Sequence, residues 1–148
     1  MRRAVLTLSL LLLVPLTGVG EPGIEESIEQ RQTTYKALKG EVKKFKEAMQ
    51  AKAAAGSAGI VAPAEQIVQH SKSLLGTFVK GSYKGKTRAK KKIWKKWVDF
   101  EARQNALVTD AEQLLAASQN GERKDLAVAF KKLAKDCKGC HRRYRQIL

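Results

Sequence analysis

The chain of 148 residues has only two cysteines, three prolines and 14 acidic residues, and each shortage closes off a class of protein. Cys137 and Cys140 have no second Cys/His pair to complete a zinc tetrahedron. Two thiols three positions apart on a helix are also poorly placed for a disulfide. No βαβ pattern surrounds them, which removes the setting of a thioredoxin-like redox pair. With so little proline beside abundant Ala, Lys, Leu, Glu and Gln, the composition favours helix over strand. The apolar runs are too short to cross a bilayer. No internal repeat or low-complexity linker argues for a second domain, and a chain of this length fits one core. No acid–base pair is placed for substrate chemistry, so an enzyme is not expected.

The shortage of carboxylates leaves 29 Lys and Arg in excess, for a formal charge of +15. Residues 1–20 read as a secretory signal peptide: Arg2 and Arg3 form the charged start, 4–16 the apolar run, and Gly18-Val19-Gly20 a small-residue cleavage site. An uncleaved anchor is the alternative reading of that run. Cleavage would remove two cations, leaving +13 on residues 21–148. Such a balance suits anionic partners, whether an acidic redox protein, a membrane surface or a nucleic acid, and its plainer meaning is a solvated Lys-rich helical surface. Export argues against nucleic acid and places the mature chain in the periplasm, with no stable membrane insertion after cleavage.

From Ile24 onward the chain falls into four amphipathic segments. The first carries Ile28, Tyr35, Leu38, Val42, Phe45 and Met49 on one stripe, with Arg31 and Gln32 on or beside it. Gly56-Ser57-Ala58-Gly59 is a turn, and Pro63 suits the first turn of a second segment whose stripe is Ile67, Ser71, Leu74 and Phe78. The basic stretch Gly81-Ser82-Tyr83-Lys84-Gly85-Lys86 is the longest irregular connection. A third segment carries Ile93, Trp97, Phe100, Gln104, Leu107, Ala111 and Leu114, with Trp94 and Val108 widening the face. Ser118-Gln119-Asn120-Gly121 stops it. The fourth carries Leu126, Phe130, Leu133, Cys137, Cys140, Tyr144 and Leu148. Four such stripes with mostly short links predict an all-α fold, an antiparallel four-helix bundle.

Cys137-Lys138-Gly139-Cys140-His141 is the C-x-x-C-H sequence that attaches haem c. On a helix, positions three and four apart share a face. Both thiols can therefore form thioethers to one covalently bound haem per chain, and His141 can reach the iron. The motif lies on the inward stripe of the last helix, so the cofactor is expected inside the bundle near the C-terminal helix.

This arrangement resembles cytochrome c′, among the class II c-type cytochromes, and the resemblance covers roughly residues 21–148. Ile28-Glu29-Gln30-Arg31-Gln32-Thr33-Thr34-Tyr35 is similar to the family's first-helix signature. Ile93-Trp94 resembles its apolar-Trp element at the start of the third helix, and Tyr144-Arg145 its aromatic-basic pair after the haem His. The resemblance implies that Cys137 and Cys140 hold the haem and that His141 is the proximal iron ligand. It also implies that Arg31 and Gln32 hydrogen-bond the propionates and that Arg145 lies over the proximal side of the ring.

Tyr35 then stands where cytochromes c′ place a bulky non-coordinating side chain, leaving a five-coordinate, high-spin iron. Low-spin relatives supply a Met there. The family's behaviour implies binding of nitric oxide and carbon monoxide, a part in electron transfer, and homodimers through the first two helices. The alternative is an electron carrier with His70 or Met49 as sixth ligand and an acidic redox partner. Met49 lies about 21 Å along the helix from Tyr35, and His70 only borders its stripe. Tyr35 could itself ligate ferric iron as phenolate, with Arg31 four residues away to lower its pKa.

Overall fold

The computed structural model describes residues 23–146. The expected signal peptide at 1–20 and the last stripe position, Leu148, lie outside the described residues. Helix α1 spans Ile24–Gln50, α2 Ala58–Leu74, α3 Lys92–Lys95, α4 Trp97–Asn120 and α5 Arg123–Tyr144. Among the described residues there is no strand, and extended pairing is limited to an isolated bridge between Ala89 and Arg145. The four long helices form the expected bundle, with α1 against α2, α2 against α4, and α4 against α5.

The stripes explain the packing. On α1, Glu25 and Glu26 complement the positive end of the helix dipole, and Ile28, Leu38 and Phe45 turn inward. The seam between α1 and α5 is closed by rings: Phe45 stacks on Phe130 at 5.4 Å, and the Arg123 guanidinium donates to the Met49 carbonyl at 2.8 Å. Phe45 is fully buried. Phe45→Ala should therefore cost about 3–5 kcal/mol, read from the denaturant midpoint; a loss below about 1 kcal/mol would mean the seam collapses without cost.

Two boundaries differ from the sequence expectation. Helix α2 begins at Ala58, so Gly59 is helical and Pro63 sits in the second turn. The Ile60 and Val61 amides both reach the Ser57 carbonyl, at 3.1 and 3.0 Å, and Ile60 is fully buried. Burying Ile60 pulls the helix start ahead of the proline. The third segment is also broken. Ile93 and Trp94 form the separate one-turn α3, and Lys96, at φ −128 and ψ 44, divides it from α4. The cause is tertiary: the Trp94 indole N–H donates to the carbonyls of Phe78 (3.2 Å) and Val79 (3.0 Å), and the Lys90 amide donates to the Tyr144 carbonyl (2.9 Å).

At the α4–α5 corner, a Cβ on Gly121 would lie 2.6 Å from the Ala117 carbonyl oxygen, which only glycine avoids. A capping box between Glu122 and Asp125 then starts α5.

The core divides into two apolar clusters. The larger joins Leu38, Phe45, Ile60, Ile67, Leu74, Leu107, Leu114 and Leu133 along the bundle. The smaller, at one end, is aromatic: Phe78, Ile93, Phe100 and Tyr144, with Trp94 and Trp97 against it.

Candidate haem site

Helix α5 carries the motif across the junction of these clusters. Cys137 packs against the larger cluster and Cys140 against the aromatic one, while Tyr35 of α1 touches both. Across the α1–α5 seam the rings of Tyr35 and His141 meet edge-on, with centroids 6.4 Å apart and planes at 61°. A groove of about 520 Å³ lies on the α5 side, beside His141, lined in part by Cys137, His141, Arg88 and Arg145, within the size range of cofactor sites.

The electrostatics suit the donor set. Burial, helped by Arg145 and Arg88, pulls the His141 pKa below its ordinary 6.5, so a neutral imidazole is available to a metal. Burial pushes the Cys137 thiol up and Cys140 up to about 11, which keeps both protonated. Burial also raises the Tyr35 phenol, with Arg31 opposing it only weakly. That direction counts against a phenolate ligand. Two thiols and a neutral imidazole on one helix face fit haem c: Cys137 and Cys140 would hold it and His141 would ligate it. Haem bound there would supply an iron centre whose chemistry the surrounding residues tune.

The side chains of Arg31 and Gln32 are bonded to the protein itself. Arg31 is 3% exposed, and its guanidinium donates to the Thr77 carbonyl (2.9 Å), Ser82 Oγ (2.9 Å), the Ser82 carbonyl (2.8 Å) and Thr87 Oγ1 (2.9 Å). It also lies 4.6 Å from the Phe78 ring centre. Four of its five N–H donors are thus spent on protein. Gln32 Nε2 donates to the Lys86 carbonyl at 2.6 Å. Both side chains fasten the 78–91 connection to α1, and that bonding leaves Arg31 little to offer a propionate.

Arg145 is not in the helix. It is extended, at φ −106 and ψ 135, and exposed, at the rim of the groove beside His141. The chain end is stitched to the same connection: the Gln146 amide donates to the Arg88 carbonyl (2.8 Å), and Arg88 Nη2 donates to the Gln146 carbonyl (2.8 Å). Ser82, Thr87, Arg88 and Asp99 are the contributors the sequence did not announce. The only hint was an Arg on an apolar stripe, which must find buried partners.

Asp99 on α4 holds the end of α5. It accepts from Arg103 (3.0 Å), Arg143 (3.2 Å) and the Tyr144 hydroxyl. These bonds lower its carboxyl from 3.8 to about 2. A depressed carboxylate adds stability above the unfolded value and loses it as pH falls toward the folded one. Acid titration should therefore cost the protein stability between pH 3.8 and about 2, and Asp99→Asn should flatten that limb of the stability–pH curve. An unchanged limb would mean that the contact carries no linkage.

Of the two alternative iron ligands, Met49 lies toward the other end of α5. The Met49 carbonyl is bonded by Arg123, and Arg123 stands about 27 Å from His141 along α5 at 1.5 Å per residue. His70 is half-exposed on α2, beside and not on the buried stripe of Ile67, Ser71 and Leu74.

The sequence profile of the family described as Cytochrome C′ matches residues 26–145. A curated relative, cytochrome c-556 of Agrobacterium fabrum (strain C58), is 29% identical over 118 residues, 80% of each chain. The crystal structure of cytochrome c′ from Thermochromatium tepidum is similar at a TM-score of 0.80 and 28% identity, covering 86% of this chain and all of that one. A nitric oxide complex of a cytochrome c prime variant from Alcaligenes xylosoxidans is similar at 0.75 and 25% identity, covering 84% and 97%. With the thiols, the imidazole and the bundle placed as described, this chain belongs to the cytochrome c′ family and carries covalent haem c on its last helix.

Proposed function

We propose that the mature chain is a periplasmic protein with a five-coordinate, high-spin iron that binds nitric oxide and carbon monoxide, and that it catalyses no reaction on them. The observation that carries this reading is Tyr35. Its ring faces that of His141 across the seam, and burial holds its hydroxyl protonated, so it occupies the distal side without a strong donor to iron. The family relationship and the nitric oxide complex of a structural relative support the same reading.

The test is the absorption spectrum of the ferrous holoprotein before and after carbon monoxide. A broad high-spin spectrum that sharpens on adding the gas is expected. A split low-spin pattern at rest, indifferent to carbon monoxide, would sink the reading. A homodimer through α1 and α2 belongs to the same proposal and should appear as twice the chain mass by light scattering. Electron transfer is a second role, favoured by the cationic surface beside the haem helix.

A further inference from the structure

The positive charge of this protein is unevenly placed. Between Glu65 and Asp99 the sequence has no acidic residue, and Lys80 to Lys96 holds nine Lys and Arg. Lys80, Lys84, Lys86, Lys91, Lys92, Lys95 and Lys96 are exposed, and none of them joins an ion pair among the described residues. A solvated surface would not need to be held rigidly, yet this segment is fixed at both sides. Arg31 and Gln32 pin it to α1, and the Ala89–Arg145 bridge pins it to the end of α5, four residues from His141.

Aromatic rings lead inward from this face. Lys91 Nζ lies 5.3 Å from the Tyr83 ring centre, Tyr83 is 5.3 Å from Trp94, Trp94 is 6.2 Å from Phe78, and Phe78 is 4.6 Å from Phe100. Phe78 and Phe100 belong to the cluster against which Cys140 packs. Trp94 is turned inward by its bonds to Phe78 and Val79, whereas a membrane-binding face keeps its aromatics outward at the lipid boundary.

We propose that the 80–96 face docks an acidic one-electron carrier protein, with Tyr83 and Trp94 marking its point of electron entry. The proposal rests on the electron-transfer role stated above. In the encounter the reduced carrier would be oxidised by one electron, which a ferric haem held by Cys137, Cys140 and His141 would accept; no bond would form or break.

The test uses the mature holoprotein and a reduced plant-type [2Fe–2S] ferredoxin as the acidic probe, with binding and electron-transfer rate measured separately. Binding should weaken tenfold or more between about 10 and 200 mM salt. The triple variant K84E/K86E/K91E should weaken it tenfold or more. K43E/K46E/K124E, an equal charge change toward the other end of the bundle, should stay within twofold. Trp94→Leu should slow electron transfer inside the saturated complex tenfold or more, and Trp94→Phe, which keeps an aromatic ring, should restore most of the rate.

No saturable binding at low salt, or equal losses in both triple variants, overturns the docking face. Tighter binding to phosphatidylserine vesicles than to the ferredoxin also overturns it, assigning the cations to a membrane. Salt-sensitive binding with no electron transfer overturns the electron-entry assignment and the role beneath it, a failure distinct from failure to dock.

Discussion

Arg31→Met should lower the thermal midpoint of the holoprotein by about 10 °C and release the 78–91 connection. The side chain is buried and its four donated bonds end on Thr77, Ser82 and Thr87. Ser82 and Thr77 are themselves fully or almost fully buried, so removing the guanidinium strands acceptors that water reaches poorly, at about 1–3 kcal/mol each. Relief of the arginine's own burial, which already depresses its pKa, offsets part of that loss. A net cost of about 3 kcal/mol corresponds to about 10 °C for a domain of this size.

Hydrogen exchange separates this account from a propionate role. Amides of 82–90 should exchange much faster in the variant, while those of the α2–α4 core should not. Arg31→Lys should behave almost as badly, because one ammonium cannot span the three partners of a planar fork. A midpoint shift under 2 °C with unchanged exchange would mean that Arg31 does not clamp the connection.

Tyr35→Ala should speed carbon monoxide association by about tenfold or more, with haem attachment intact. A distal ring must move aside before a ligand can occupy its space, and each 1.4 kcal/mol of displacement cost is about tenfold in rate. Attachment should survive because the motif lies wholly on α5. Stability should also fall, since Tyr35 packs against both apolar clusters and truncating a large aromatic costs about 3–5 kcal/mol when buried. The two effects are separable: stopped-flow on folded protein reads the gate, and a denaturant midpoint reads the packing. An unchanged association rate in folded protein would remove Tyr35 from the ligand path.

Much of this molecule was legible in its sequence because four helices with regular apolar stripes leave few ways to pack. Every buried position of the larger cluster on α4 and α5 sits on a stripe that spacing alone picks out. The attachment motif is equally local, since three chemistry-bearing residues fall within five positions. What escaped were features set by distance in the chain. The partners of Arg31 lie 46 to 56 positions away, in a connection without periodicity. The break at Lys96 arises from bonds made by Trp94 and Lys90 to other parts of the fold. The early start of α2 reflects burial of Ile60, which local proline and glycine signals outvoted. Tyr35 and His141, more than a hundred positions apart, could be brought together only by analogy with a known family.

The pairing of residues 88–90 with 144–146 has a consequence for biogenesis. Among the described residues, the contacts that tie the end of α5 to 88–90 are made by Tyr144, Arg145 and Gln146, all after Cys140, so in a chain emerging amino end first, both thiols appear before the seal can form. A catalyst that stitches porphyrin to protein would meet an open final helix, and closure would follow attachment. An affinity tag fused after residue 148 competes for that last step, and one placed just behind the expected signal peptide, ahead of α1, leaves the closure free.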